Sequence, residues 1–93
     1  MPINHPGKRF ARTDIESLNL NQTGVYVIYN SQEWIYVGRG DIRERLLAHL
    51  NGDIPCILKN SPTGWKAEVT GDSARREKEL IVELQPKCNQ KVG

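Results

Sequence analysis

Two runs of β-branched and aromatic residues, Val25-Tyr26-Val27-Ile28-Tyr29 and Trp34-Ile35-Tyr36-Val37, flank the polar tetrapeptide Asn30-Ser31-Gln32-Glu33 and are bounded by Gly24 and Gly38. Such runs favour pleated strands, and a four-residue polar loop between them makes an antiparallel hairpin. Their near-continuous apolar character predicts burial on both faces, near the middle of a small sheet. With 93 residues in the chain, one modest core is the limit, which rules out a catalytic domain joined to a separate binding domain. A third strand is expected at Trp65-Lys66-Ala67-Glu68-Val69-Thr70, with Trp65, Ala67 and Val69 on the packed face and the polar residues in water.

Two helices are legible around these strands. Asp41 is a good N-cap, and Ile42, Leu46 and Leu50 recur at helical spacing before Asn51-Gly52 ends the segment. A second helix starts after Ser73, carries Ala74, Ile81 and Leu84 on one stripe, and stops before Pro86. Ile54-Pro55-Cys56-Ile57-Leu58 is short and apolar, either a helical turn or an extended piece. Residues 1–23 read as a basic arm, with Pro2, Pro6, Gly7, Lys8, Arg9 and Arg12, followed by a short helix opened by the capping-box spacing Thr13-Asp14-Ile15-Glu16. Residues 24–93 form the main domain. The fold class expected is α+β, a small three-stranded antiparallel sheet flanked by helices.

Composition narrows the setting. Two cysteines, Cys56 and Cys88, are too few for the disulfide framework of a small secreted domain or for a four-thiolate zinc site, which predicts a reducing compartment. The apolar runs are too short to span a bilayer, and the first residues lack a signal peptide's apolar stretch, so a cytoplasmic protein is expected. A net charge of +2 defines no partner class.

Function is best sought where a residue type disagrees with its position. On the last helix Glu77 lies roughly 40° from Ile81 on the core stripe, whereas Glu79 and Glu83 fall on the opposite side with Arg76. A carboxylate facing a core needs a partner: an arginine, a proton or a metal. Arg45 and His49, four residues apart, border the packed face of the first helix. Arg43 points between Leu47 and Leu50, as a snorkelling stem would. Tyr26 and Tyr36 stand on adjacent strands, each two residues from a glycine, and Gly38-Arg39-Gly40 leads into a helix N-terminus beside arginines, where a phosphate could sit.

Taken in order, these residues resemble the GIY-YIG nuclease family, whose two tripeptides appear here as Gly24-Val25-Tyr26 and Tyr36-Val37-Gly38. The resemblance spans residues 24–89, continuing through Ile42 to Arg45, His49, Glu77 and the closing run Ile81-Val82-Glu83-Leu84-Gln85-Pro86-Lys87-Cys88-Asn89. It implies Tyr26 as general base toward water, Tyr36 as the second active-site tyrosine, Arg45 as the catalytic arginine, His49 as a catalytic histidine, Glu77 as the metal-binding carboxylate and Asn89 as a structural or site-lining residue. The stretch from Gly38 to Arg45 is about one residue shorter than is common in the family, so Arg43 and Arg45 are alternatives for the catalytic arginine; the Ile42 spacing favours Arg45.

The activity implied is metal-dependent hydrolysis of DNA phosphodiester bonds. A guanidinium and one hard cation can stabilise charge on the non-bridging and leaving oxygens, and a single carboxylate suits Mg2+, with Mn2+ as a substitute. Arg39, Arg43, Arg76 and Asn89 are expected on the substrate side, with Lys8, Arg9, Arg12, Arg75 and Lys78 extending a basic surface. Few groups remain to read bases, so little sequence specificity is expected unless a protein partner or self-association supplies it. The alternative is a nucleic-acid-binding module on the same fold that does not cleave.

Overall fold

The structure, a computed structural model, describes residues 7–19 and 21–89. Eight elements follow in order: β1 (Lys8–Arg9), α1 (Arg12–Glu16), β2 (Thr23–Tyr29), β3 (Trp34–Asp41), α2 (Ile42–Leu50), α3 (Pro55–Lys59), β4 (Gly64–Val69) and α4 (Ser73–Leu84). The strands form one antiparallel sheet in the order β1-β4-β2-β3. It therefore has four strands where three were expected, because Lys8 and Arg9, read as part of an arm, pair with Trp65 and Gly64. Trp65 fastens that extra strand by donating its indole N–H to the Arg9 carbonyl at 3.0 Å. Pro2 and Pro6 lie outside the described residues.

The hairpin forms as its residue types predict, but only β2 is central. The alternation of β2 splits the core: Tyr26 and Ile28 face a cluster with Ile15, Ile35, Ile42, Leu46, Ile57 and Trp65, while Val25 and Val27 join Val37 and Leu80 on the other face. Helices α1, α2 and α3 cover the first face and α4 the second. β3 is an edge strand whose outer side is partly closed by the chain leaving α4. Lys87 N–H donates to the Trp34 carbonyl at 3.1 Å and Cys88 N–H to that of Ile35 at 2.8 Å. The Asn89 amide then accepts from Val37 N–H at 2.7 Å and donates to its carbonyl at 2.9 Å, standing in for a neighbouring strand.

Several local expectations change. Thr13 makes no cap: the N-cap of α1 is Ala11, without a side-chain hydrogen bond, and Asp14 turns back to accept from the Arg9 N–H at 3.2 Å. On α4 Ile81 and Leu84 pack as expected, but the stripe is centred on buried Leu80, and Ala74 is exposed. That recentring puts Arg76 on the flank of the packed side, where it pairs with Glu68 of β4 at 3.3 Å. The polar face of β4 is accordingly half-covered and not wet, whereas Val69 at the strand end is 59% exposed. The segment Pro55–Lys59 is helical. Cys56 and Cys88 form a disulfide across 32 positions of sequence, against the expectation of two free thiols; a cysteine count carries no information about which thiols the fold brings together. Among the described residues no helix is long and apolar enough to cross a membrane.

Candidate active site

Register builds the site. Tyr26 pairs with Gly38 and Ile28 with Tyr36, so the two tyrosines are diagonal neighbours on the α2 face, with ring centroids 6.4 Å apart. His49, from the last turn of α2, brings its ring to 5.5 Å from Tyr26 and 5.1 Å from Tyr36. Gly38 is what admits this packing, because a Cβ there would overlap the hydroxyl and ring of Tyr26. Tyr26 is buried and has nowhere to withdraw, so Gly38→Ala is expected to cost about 1–3 kcal/mol of stability by overpacking. Urea unfolding would check it, and an unchanged midpoint would mean that the ring tilts aside freely.

The polar atoms of these rings join in one chain. Tyr26 Oη lies 2.7 Å from His49 Nε2, and His49 Nδ1 lies 2.7 Å from Asp53 Oδ1. The second carboxylate oxygen, Asp53 Oδ2, accepts from Arg45 Nη2 at 3.3 Å. An ionised carboxylate only accepts, so Nδ1 carries the proton and the Nε2 of a neutral imidazole accepts from the Tyr26 hydroxyl. Burial holds His49 below its ordinary pKa, against the opposing pull of Asp53, so the neutral ring is the form present at neutral pH. Burial also raises the Tyr26 phenol well above its usual value; Tyr36 adds to the rise, and the nearby Arg45 guanidinium opposes it.

Comparison with protein-family models, with curated proteins and with solved structures finds no match for this chain.

Four of the five residues expected at the centre, Tyr26, Tyr36, Arg45 and His49, neighbour one another on the α2 face of the sheet. Arg45, not Arg43, neighbours the Tyr26 hydroxyl; the Nε of Arg43 is buried without a hydrogen-bond partner among the described residues. Glu77 projects from α4 on the opposite face, yet its charge reaches Tyr36. Burial raises the Tyr36 phenol, Glu77 pushes it the same way, and Arg45 pulls it down. Glu77 is half-buried, and its Oε1 accepts from Arg39 Nε at 3.3 Å. Exposure grades across the region: His49 and Tyr26 are 0% and 1% exposed, whereas Tyr36, Arg45, Glu77 and Arg39 border solvent.

Other expected substrate contacts stand apart from this centre. Both ends of the Asn89 amide are engaged by the Val37 backbone, which gives that side chain a structural part. Arg76 is occupied by Glu68 and Glu79. Asp53 is the member that sequence reasoning missed. Its signal was the four-residue interval from His49, disguised because the helix ends between them.

Proposed function

We propose that the protein is a GIY-YIG-type endonuclease that hydrolyses DNA phosphodiester bonds with one divalent cation and with little sequence specificity of its own. The observation that carries this reading is that the rings of Tyr26, Tyr36 and His49 pack together on the α2 face, with Arg45 tied to His49 through the two oxygens of Asp53. A guanidinium and a hydrogen-bonded phenol–imidazole pair side by side are the equipment that phosphoryl hydrolysis requires: charge stabilisation for the phosphate and a route for the proton of the attacking water.

Each residue has a task in this reading. Arg45, partly exposed, binds a non-bridging oxygen of the scissile phosphate. Tyr26 accepts a proton from the attacking water as its own phenolic proton passes to His49 Nε2, which avoids a free tyrosinate in a buried setting that disfavours one.

Glu77 is the residue that would hold the cation. Its pairing with Arg39 joins partly exposed groups, an interaction of about 0–1 kcal/mol that a divalent ion can displace. Among the described residues no group of three or more His, Cys, Asp or Glu stands together as a metal site. A lone carboxylate nevertheless fits Mg2+ or Mn2+, since Mg2+ keeps several waters and tolerates few protein ligands. The ion would supply charge neutralisation at the phosphate and the leaving oxygen. Arg39, once displaced, is free to contact backbone phosphate. Arg9, Arg12 and Arg75 are each engaged by carboxylates, so affinity for duplex is expected to be modest and to fall with salt.

Plasmid nicking tests the proposal. With magnesium the parent protein should convert supercoiled to open-circular DNA, and Glu77→Ala or a chelator should each slow nicking by about 10²-fold, the scale of lost charge stabilisation at a reacting phosphate. Duplex retention in a gel shift with no nicking under magnesium or manganese would favour a non-cleaving binding module instead.

A further inference from the structure

We infer that Asp53 is a positioning residue that holds His49 in its Nδ1-protonated form and ties Arg45 to it, so that the Tyr26 hydroxyl always faces a proton acceptor. This deepens the nuclease reading and rests on it for the catalytic consequence, though the hold on His49 can be measured without any activity.

The turn that delivers Asp53 is built for this placement. Asn51 caps α2, and Gly52 follows with a φ of 89°, a left-handed conformation that glycine adopts without steric cost. Gly52 N–H donates to the His49 carbonyl at 3.0 Å and Asp53 N–H to that of Ala48 at 3.2 Å. These are the two bonds of a Schellman motif, which folds the residue after the glycine back over the last turn of its helix. Arg45 and His49 lie one turn apart on α2, so their side chains share a face. Asp53 returns onto that face, and its two oxygens take one partner each.

The consequence is chemical as well as geometric. A His49 ring with its proton on Nε2 would donate to Tyr26 and could accept nothing from it. With the carboxylate on Nδ1, the ring presents its lone pair to the phenol, and the imidazolium formed when the phenolic proton arrives is compensated at once. The charged and titratable groups facing His49 are Tyr26 from β2, Tyr36 from β3, and Arg45 and Asp53 from α2 and its turn. Asp53 alone among them is an anion at neutral pH. Its side chain is 34% exposed, whereas that of His49 is wholly buried, so the far end of the chain meets water.

Asp53→Asn and Asp53→Glu, compared with the parent, test the assignment by two readouts. The first is the 15N spectrum of the imidazole. In the parent, Nε2 should show the shift of an unprotonated ring nitrogen at pH 7 and the ring should titrate below 6.5, the ordinary value for histidine. In Asp53→Asn the titration should move lower still, because the carboxylate that favours the cation is gone, and the Nε2-protonated form should appear. The second is nicking. Asp53→Asn should lower kcat about 10²-fold with KM for DNA within about threefold, and Asp53→Glu should restore part of it. The acid limb of the parent's pH profile should follow the imidazole titration and shift with it in the variant. An Nε2-protonated ring in the parent, or parent-like turnover in Asp53→Asn, would overturn the assignment. A parent that never nicks overturns the nuclease reading, and the nitrogen spectrum then decides the hold of Asp53 on His49 by itself.

Discussion

Tyr26→Phe should lower turnover about 10³-fold while DNA affinity stays within a factor of about three, because the change removes a proton acceptor and no charge. The parent hydroxyl donates to His49 Nε2 at 2.7 Å inside the core. Phenylalanine leaves that nitrogen buried without a donor, which should also cost about 1–3 kcal/mol of stability. The two effects are separable: nicking is measured under single-turnover conditions well below the variant's melting temperature, and stability by urea unfolding. Loss of stability with parent-like cleavage would reduce the Tyr26–His49 contact to a packing device and remove the phenol from the chemistry. The opposite pairing, slow cleavage by a folded protein that still shifts duplex, is the expected one.

His49 adds a pH dependence with a fixed sign. Burial lowers its pKa in the folded chain, so folding favours the neutral ring. The associated stability is fully present above pH 6.5, the ordinary value, and is lost as pH falls through the lowered folded value. Proton acceptance from Tyr26 disappears over the same range, since an imidazolium has no lone pair to offer.

How much of this was legible in the residues depends on the range of the interaction concerned. The hairpin, α2 and α4 follow from local patterns: β-branched runs between glycines, an Asp cap, a helical stripe before proline. Asp41 does accept from the Glu44 N–H at 3.2 Å. Glu77 stood out as a carboxylate on an apolar stripe, and Arg39, one kind of partner that argument required, lies 38 residues away. Non-local pairings were less visible. Lys8 and Arg9 carry no strand signature, and they pair because β4 leaves an edge for them. Asp53 looked like a loop carboxylate because a sequence shows that Gly52 ends a helix without showing where the reversed chain points. Arg76 was misplaced because the stripe had been drawn through Ala74, Ile81 and Leu84 without Leu80, and one residue of helix turns a side chain by roughly 100°.

The Cys56–Cys88 bond, equally invisible beforehand, carries a larger expected stability effect than Gly38→Ala or Tyr26→Phe. It joins α3 to the segment that closes the edge of β3. Closing a loop over 32 positions constrains the unfolded chain by about 3–4 kcal/mol on the chain-entropy model, a large share of the roughly 5–15 kcal/mol typical of a whole domain. The folded side has its own stake. Asn60 Nδ2 donates to the Cys56 carbonyl at 2.8 Å, and the Asn89 amide that clamps Val37 follows Cys88 directly. Val37 in turn separates Tyr36 from Gly38, so a loosened strap acts on the backbone that aims both tyrosines. Reductant or Cys88→Ser should therefore lower the melting temperature by more than about 10 °C and raise amide exchange at Val37 before exchange rises in β2. It should also bare the outer edge of β3, a template for pairing between chains, which light scattering of the reduced protein would detect. Coincident melting curves with and without reductant would mean that the strap is held by its backbone bonds and the Asn89 amide alone.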